Sequence, residues 1–77
     1  MAVKVLYFAR LREELGREGD QPELPGDEVT VAGLWEYLHG EPPPPRLMSA
    51  VNQHRAGLDA PVRDGDEVAF FPPVTGG

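Results

Sequence analysis

The sequence predicts an α+β domain, a small mixed sheet with its helices packed on one face. Three observations carry that prediction. Strand-like runs rich in β-branched and aromatic residues, Val3 to Phe8 and Glu67 to Phe71, stand near both ends of the chain. Two stripes of helical spacing lie between them, each closed by a glycine, Gly16 and Gly40. The order strand, helix, possible strand, helix, strand, loop, strand shows no internal repeat and suits helices gathered on one side of a sheet. With 77 residues, one domain over 1–77 with a modest core is expected.

In the first strand Lys4 marks the outward face, so Val3, Val5 and Tyr7 point to the core. The same parity sends Leu6 and Phe8 outward, an apolar pair on the wrong face unless another element covers it. Phe8 also forms an i, i+3, i+7 stripe with Leu11 and Leu15 on the short helix expected over Ala9 to Leu15. Spacing alone leaves Phe8 open between core packing and an exposed contact site. Gly16 suits a C-terminal cap. The polar stretch that follows is broken by Pro22 and Pro25, leaving Gln21 to Leu24 as the one possible edge strand.

Thr30 is a good N-cap for a second helix with Val31, Leu34 and Leu38 on one face. Trp35 and Tyr37 flank that stripe at the core or its rim, and Gly33 is expected to mark close packing against the sheet. Glu41 and Pro42 to Pro45 exclude helix and favour polyproline II, read as a stiff connector, with a ligand for a proline-binding domain as the alternative. Leu47 to Gln53 follows as a strand whose turn is Asn52 and Gln53, and Ala56 to Val62 as a loop carrying Leu58 and Val62 inward. Asp64-Gly65 is a turn, after which Val68 and Phe70 face the core while Ala69 and Phe71 take the other face. The last strand, set beside the first, would be central and parallel. Leu6, Phe8 and Phe71 would then form one patch.

The final stretch organises the rest. Residues 74–77 form a projecting tail, because Val74, Thr75, Gly76 and Gly77 offer a core little to hold. Pro72 and Pro73 fix their own φ and push the residues before them toward extended conformations, so the tail leaves already aimed. Four extended residues reach roughly 13 Å, enough to enter a buried active site. Gly76 and Gly77 have no Cβ, so a narrow channel can close on their backbone and an enzyme can approach the Gly77 carboxylate from any side. A carboxylate is a poor electrophile, and chemistry there requires activation, most simply to an acyl-adenylate by a partner enzyme with ATP.

Composition excludes several classes. Without cysteine there is no disulfide framework, thiolate nucleophile or cysteine-ligated zinc. No metal site and no bound cofactor are expected, since His39 and His54 read as unpaired surface residues and Asp64, Asp66 and Glu67 as a solvated turn. A net charge of −6 argues against nucleic acid, and no apolar run suits a membrane span or signal peptide, so the cytoplasm is the expected compartment. With no phosphate loop and no Ser, His and Asp set, the chain reads as a substrate, carrier or subunit of another protein's site.

Lys4 to Glu13, Ala50 to Gln53, and above all Asp64-Gly65-Asp66-Glu67-Val68-Ala69-Phe70-Phe71-Pro72-Pro73-Val74-Thr75-Gly76-Gly77 together resemble the small subunits of molybdopterin synthase. The resemblance covers nearly the whole chain and implies the β-grasp, ubiquitin-like fold. It implies a sulfur carrier and no active site of its own. An adenylating enzyme related to ubiquitin activators, using ATP, would activate Gly77, and a sulfur donor protein would convert it to a thiocarboxylate. The tail would then deliver sulfur inside the large catalytic subunit to cyclic pyranopterin monophosphate. A free monomer and a heterotetramer with that subunit are both implied. Phe71 and Phe8 match aromatic positions through which the family meets its partners, which favours the contact role for Phe8, and Arg12 matches a polar contact position. The Glu41 to Pro45 run departs from the pattern. A carrier for thiamine or transfer-RNA thiolation, or a protein modifier, would need the same tail, whereas a plain β-grasp binding module would not.

Overall fold

The computed structural model describes residues 2–73; the tail expected over Val74 to Gly77 lies outside the described residues. Two strands joined side by side make the centre. β1 (Lys4–Tyr7) and β7 (Glu67–Phe71) run parallel with Val5 opposite Val68 and Tyr7 opposite Phe70. β2 (Gly19–Asp20) borders β1, while β4 (Met48–Val51) and β5 (His54–Ala56) continue beyond β7, giving the order β2-β1-β7-β4-β5. A separate two-stranded pair joins β3 (Val29–Thr30) to β6 (Pro61–Val62). The parallel partnership follows from composition, since both strands carry large apolar residues on the face that must be covered.

Strand parity works as expected. Val3, Val5 and Tyr7 are buried, as are Val68 and Phe70, and all belong to one core with Leu11, Val31, Leu34 and Trp35 from the helices. Helix α1 (Ala9–Leu15) ends at Gly16 in the left-handed conformation, with φ 72°. Helix α2 (Val31–His39) starts at Thr30, whose Oγ1 accepts from the Gly33 amide at 3.0 Å, and ends at Gly40 with φ 74°. Both glycines occupy a region that a Cβ disfavours. Trp35 is core and Tyr37 is exposed.

Four expectations are corrected. The edge strand is Gly19–Asp20 and not Gln21 to Leu24. Pro22 has no N–H for a ladder, so the later residues meet the sheet only through the Pro22 carbonyl on the Val3 amide, 2.9 Å, and an isolated bridge between Ala2 and Glu23. Gly19 is required by closeness, because a Cβ there would collide with the Val5 carbonyl oxygen. Secondly, the stretch read as loop over Ala56 to Val62 is bounded by strand at both ends, β5 and β6. Asn52 and Gln53 form a two-residue hairpin turn with φ of 51° and 71°, which returns the chain as β5 along β4. Thirdly, the close neighbour of Gly33 is its own helix cap: a Cβ would lie 3.3 Å from Thr30 Oγ1. Finally, His39 is half-buried under the C-terminal end of α2, with Nε2 3.0 Å from the Tyr7 hydroxyl.

The hairpin turn is tied to the start of β7. Asn52 Nδ2 donates to Asp66 Oδ1 at 3.0 Å and Asn52 Oδ1 accepts from the Glu67 amide at 2.9 Å. Asp66 Oδ2 also accepts from the Arg63 amide at 2.9 Å, so Asp66 holds the last turn shut while Asp64 remains exposed. These bonds fix the register of the strand from which the tail departs.

Candidate functional site

The face of the sheet turned away from the helices is apolar across its middle. Directly opposed residues share a face, and the registers set Gly19, Leu6, Ala69, Ala50 and Arg55 in one row across all five strands. A parallel row places Met48 opposite Phe71. Phe8 adjoins it from the end of β1, its amide donating to the Phe70 carbonyl at 3.1 Å. The patch expected of Leu6, Phe8 and Phe71 is thus assembled.

Local backbone explains why Phe8 stands out. Phe8 is still extended, with φ −122° and ψ 156°, and the next residue, Ala9, takes φ 55°. A left-handed conformation at a residue with a Cβ costs about 1–2 kcal/mol. It turns the chain sharply into α1, so Leu11 drops into the core while Phe8 is left 48% exposed. Phe71, Pro72 and Pro73 are half-buried. Arg12 is exposed on α1, in the helix layer, so the structure does not join it to the row containing Leu6 and Arg55.

At the base of the tail a cavity of about 260 Å³ opens between α1 and the proline run, walled by Arg10, Glu14, Pro44, Pro45, Pro72 and Pro73. Pro44 and Pro45, at the end of the run read as a connector, therefore face Pro72 and Pro73 across this cavity. Arg10 and Arg55 reach these positions through the packing of segments distant in sequence, which local spacing does not reveal.

One polar cluster lies where β1, β2 and α2 meet. The Tyr7 hydroxyl donates to Asp20 Oδ2 at 2.7 Å and meets His39 Nε2 at 3.0 Å, while Arg17 Nε donates to the same Asp20 oxygen at 2.9 Å. Burial, then the Asp20 hydrogen bond and charge, hold the Tyr7 hydroxyl protonated well above its ordinary range. Burial and the Arg17 charge push His39 below the usual histidine value. The cluster sits beneath the ring stack of Tyr7, Trp35, His39 and Phe70 and has the character of a core clasp. Among the described residues no group of three His, Cys, Asp or Glu is placed to hold a metal ion, and no helix is long and apolar enough to cross a membrane.

Comparison with known proteins places this geometry among relatives. The model of the ThiS family matches residues 5–77. The chain is 43% identical over 82 residues to the molybdopterin synthase sulfur carrier subunit of Escherichia coli, covering 97% of this chain and 99% of that protein. Among solved structures it is similar to SAMP1, small archaeal modifier protein 1, of Haloferax volcanii, with 27% identity and a TM-score of 0.79 over 100% of both chains. It is also similar to a putative molybdopterin converting factor subunit 1 of Pyrococcus furiosus, with 30% identity and a TM-score of 0.75 over 96% of this chain and 99% of that one. The five-stranded mixed sheet with two helices is the ubiquitin-like β-grasp expected from the resemblance.

Proposed function

The chain belongs to the ThiS family, and from that premise we propose that it is the sulfur carrier subunit of a molybdopterin synthase. The observation that carries the reading is the placement of Phe71. β7 is paired to β1 through Phe70 and to β4 through Phe71, and the next residues are Pro72 and Pro73. A strand held on both sides, an apolar face and the proline pair that precedes the tail therefore meet at one point.

The chemistry follows from the tail. The Gly77 carboxylate attacks ATP on an adenylating enzyme, releasing pyrophosphate and forming an acyl-adenylate. Sulfide-level sulfur, delivered by a donor protein, attacks the acyl carbon, AMP leaves, and a thiocarboxylate remains. Residues 74–77 then enter the large subunit, where the thiocarboxylate sulfur bonds to cyclic pyranopterin monophosphate and water cleaves the acyl–sulfur bond, returning the Gly77 carboxylate. Phe8 and Phe71 hold the partner against the apolar face, and Arg12 supplies a polar contact beyond it. Gly76 and Gly77 allow the close approach such a channel demands.

The test is the intact mass of the protein after incubation with its host's activating enzyme, ATP and a sulfur source, beside a Gly77 deletion. Exchange of one oxygen for sulfur, absent in the deletion, supports the reading. No change with an enzyme competent on another carrier would overturn it. The likeness to SAMP1 favours a second reading, a protein modifier with the same tail, which predicts covalent adducts on lysines of other proteins.

A further inference from the structure

Resting on the proposed carrier reading, we infer that Arg55 is a specificity-determining residue of the partner face, where it pairs with a carboxylate on the large subunit. Arg55 faces Ala50 in β5, at the outer end of the row Gly19, Leu6, Ala69, Ala50. Ala69 and Ala50 are the small residues of that row next to Arg55. Arg55 Nη2 lies 3.8 Å from Met48 Sδ, and Met48 is itself opposite Phe71, so one residue separates the charge from the aromatic at the end of β7.

The charge of this face differs from that of the whole. The chain carries a net −6, yet on the outer face Lys4 and Glu67 are opposed in register and offset each other. Arg55 is the remaining cation of the row, exposed, and among the described residues no carboxylate pairs with it. This face thus carries one uncompensated cation on a polypeptide whose net charge is −6. A partner surface that is apolar and carries an acidic group complements this face, and a partner lacking that group would leave the guanidinium desolvated and unpaired. Protection of an exposed sheet edge by charge is the competing explanation for an arginine on β5. It predicts that either sign of charge serves equally.

The experiment measures the affinity of the full chain for the purified large subunit at low and high salt, with Arg55→Glu, Arg55→Gln and Phe71→Ala alongside. We expect Arg55→Glu to weaken binding by about tenfold at low salt and by less than about threefold at high salt, as screening removes a rim charge interaction. Arg55→Gln should fall between wild type and Arg55→Glu, and it decides the question if the glutamate variant does not fold. Arg55→Glu binding as wild type at low salt, while Phe71→Ala binds weakly, would overturn the role of Arg55 and leave the carrier reading standing. Unchanged binding by every variant would overturn the face as the contact surface, and Arg55 with it. Absence of wild-type binding would overturn the carrier reading itself.

Discussion

Phe70 and Phe71 are neighbours in sequence and opposites in space, which makes them a controlled pair. Phe70 is 0% exposed, stacked near Tyr7 with ring centroids 6.2 Å apart and edge-on to Trp35 at 5.0 Å. Truncating a ring so enclosed costs about 3–5 kcal/mol through lost transfer energy and an unfilled cavity. A domain of this size has roughly 4–12 kcal/mol of stability in total, at about 0.05–0.15 kcal/mol per residue. Phe70→Ala should therefore unfold a large share of the population or lower Tm by at least about 12 °C, at 4–8 °C per kcal/mol. Phe71 is half-buried on the outer face, and half of the 1.5–3 kcal/mol for fully burying such a side chain is about 1 kcal/mol. Its truncation should instead weaken binding of the large subunit by about thirtyfold, the loss of a 2 kcal/mol interface anchor. Trp35, the single tryptophan, packs on Phe70 and reports unfolding in urea, while calorimetry with the purified large subunit reports binding. Equal stability losses for the two variants, or a Phe71→Ala protein that is badly destabilised yet binds normally, would refute the assignment of faces.

Other outcomes follow from the same geometry. Gly19→Ala drives a Cβ against the Val5 carbonyl, a backbone atom that has nowhere to yield, and should cost about 1–3 kcal/mol in urea melts as an overpacked site. Tyr7→Phe removes the hydroxyl shared by Asp20 and His39 and should cost about 1–2 kcal/mol, with loss of the elevated phenol titration seen by ultraviolet absorbance. His39 is held neutral by burial and faces Tyr7, Trp35, Asp20, Arg17 and Glu41. Its folded pKa lies below the unfolded value, so the unfolded chain binds more protons in that window. Stability should fall as pH drops below about 6.5, and His39→Gln should flatten the slope in denaturant titrations from pH 7.5 to 5.5. Adding one residue after Gly77 should abolish thiocarboxylate formation, read by intact mass, with the circular dichroism spectrum unchanged.

Much of this fold is legible from local pattern. Thr30, Gly16 and Gly40 bound the helices because capping chemistry is decided within a few residues. The alternation through Val5, Tyr7, Val68 and Phe70 marks the inner face because parity needs no knowledge of the partner strand. What escaped is what pairing at a distance decides. His54-Arg55-Ala56 has no apolar alternation and becomes strand only because a hairpin turn lays it along β4. Gly19 reads as one more glycine in a polar stretch until Val5 is set against it. His39 looks like a surface residue until β1 brings a tyrosine hydroxyl beneath α2. In the candidate site, Phe8 and Phe71 are visible as misplaced apolar residues, whereas Arg55 is visible only from the row it terminates.

The parallel seam between β1 and β7 has a consequence for the order in which the protein comes into being. Val5 and Val68 meet across a loop of nearly the whole polypeptide, so the central contact of the sheet has the largest closure entropy to overcome and the longest sequence separation. During synthesis β1 must wait with its inner face unsatisfied until β7 has left the ribosome. Under the carrier reading, the strand that completes the sheet is also the one that presents Gly77. Folding and readiness for adenylation then become a single event, and an immature chain has no aimed tail for the activating enzyme to take.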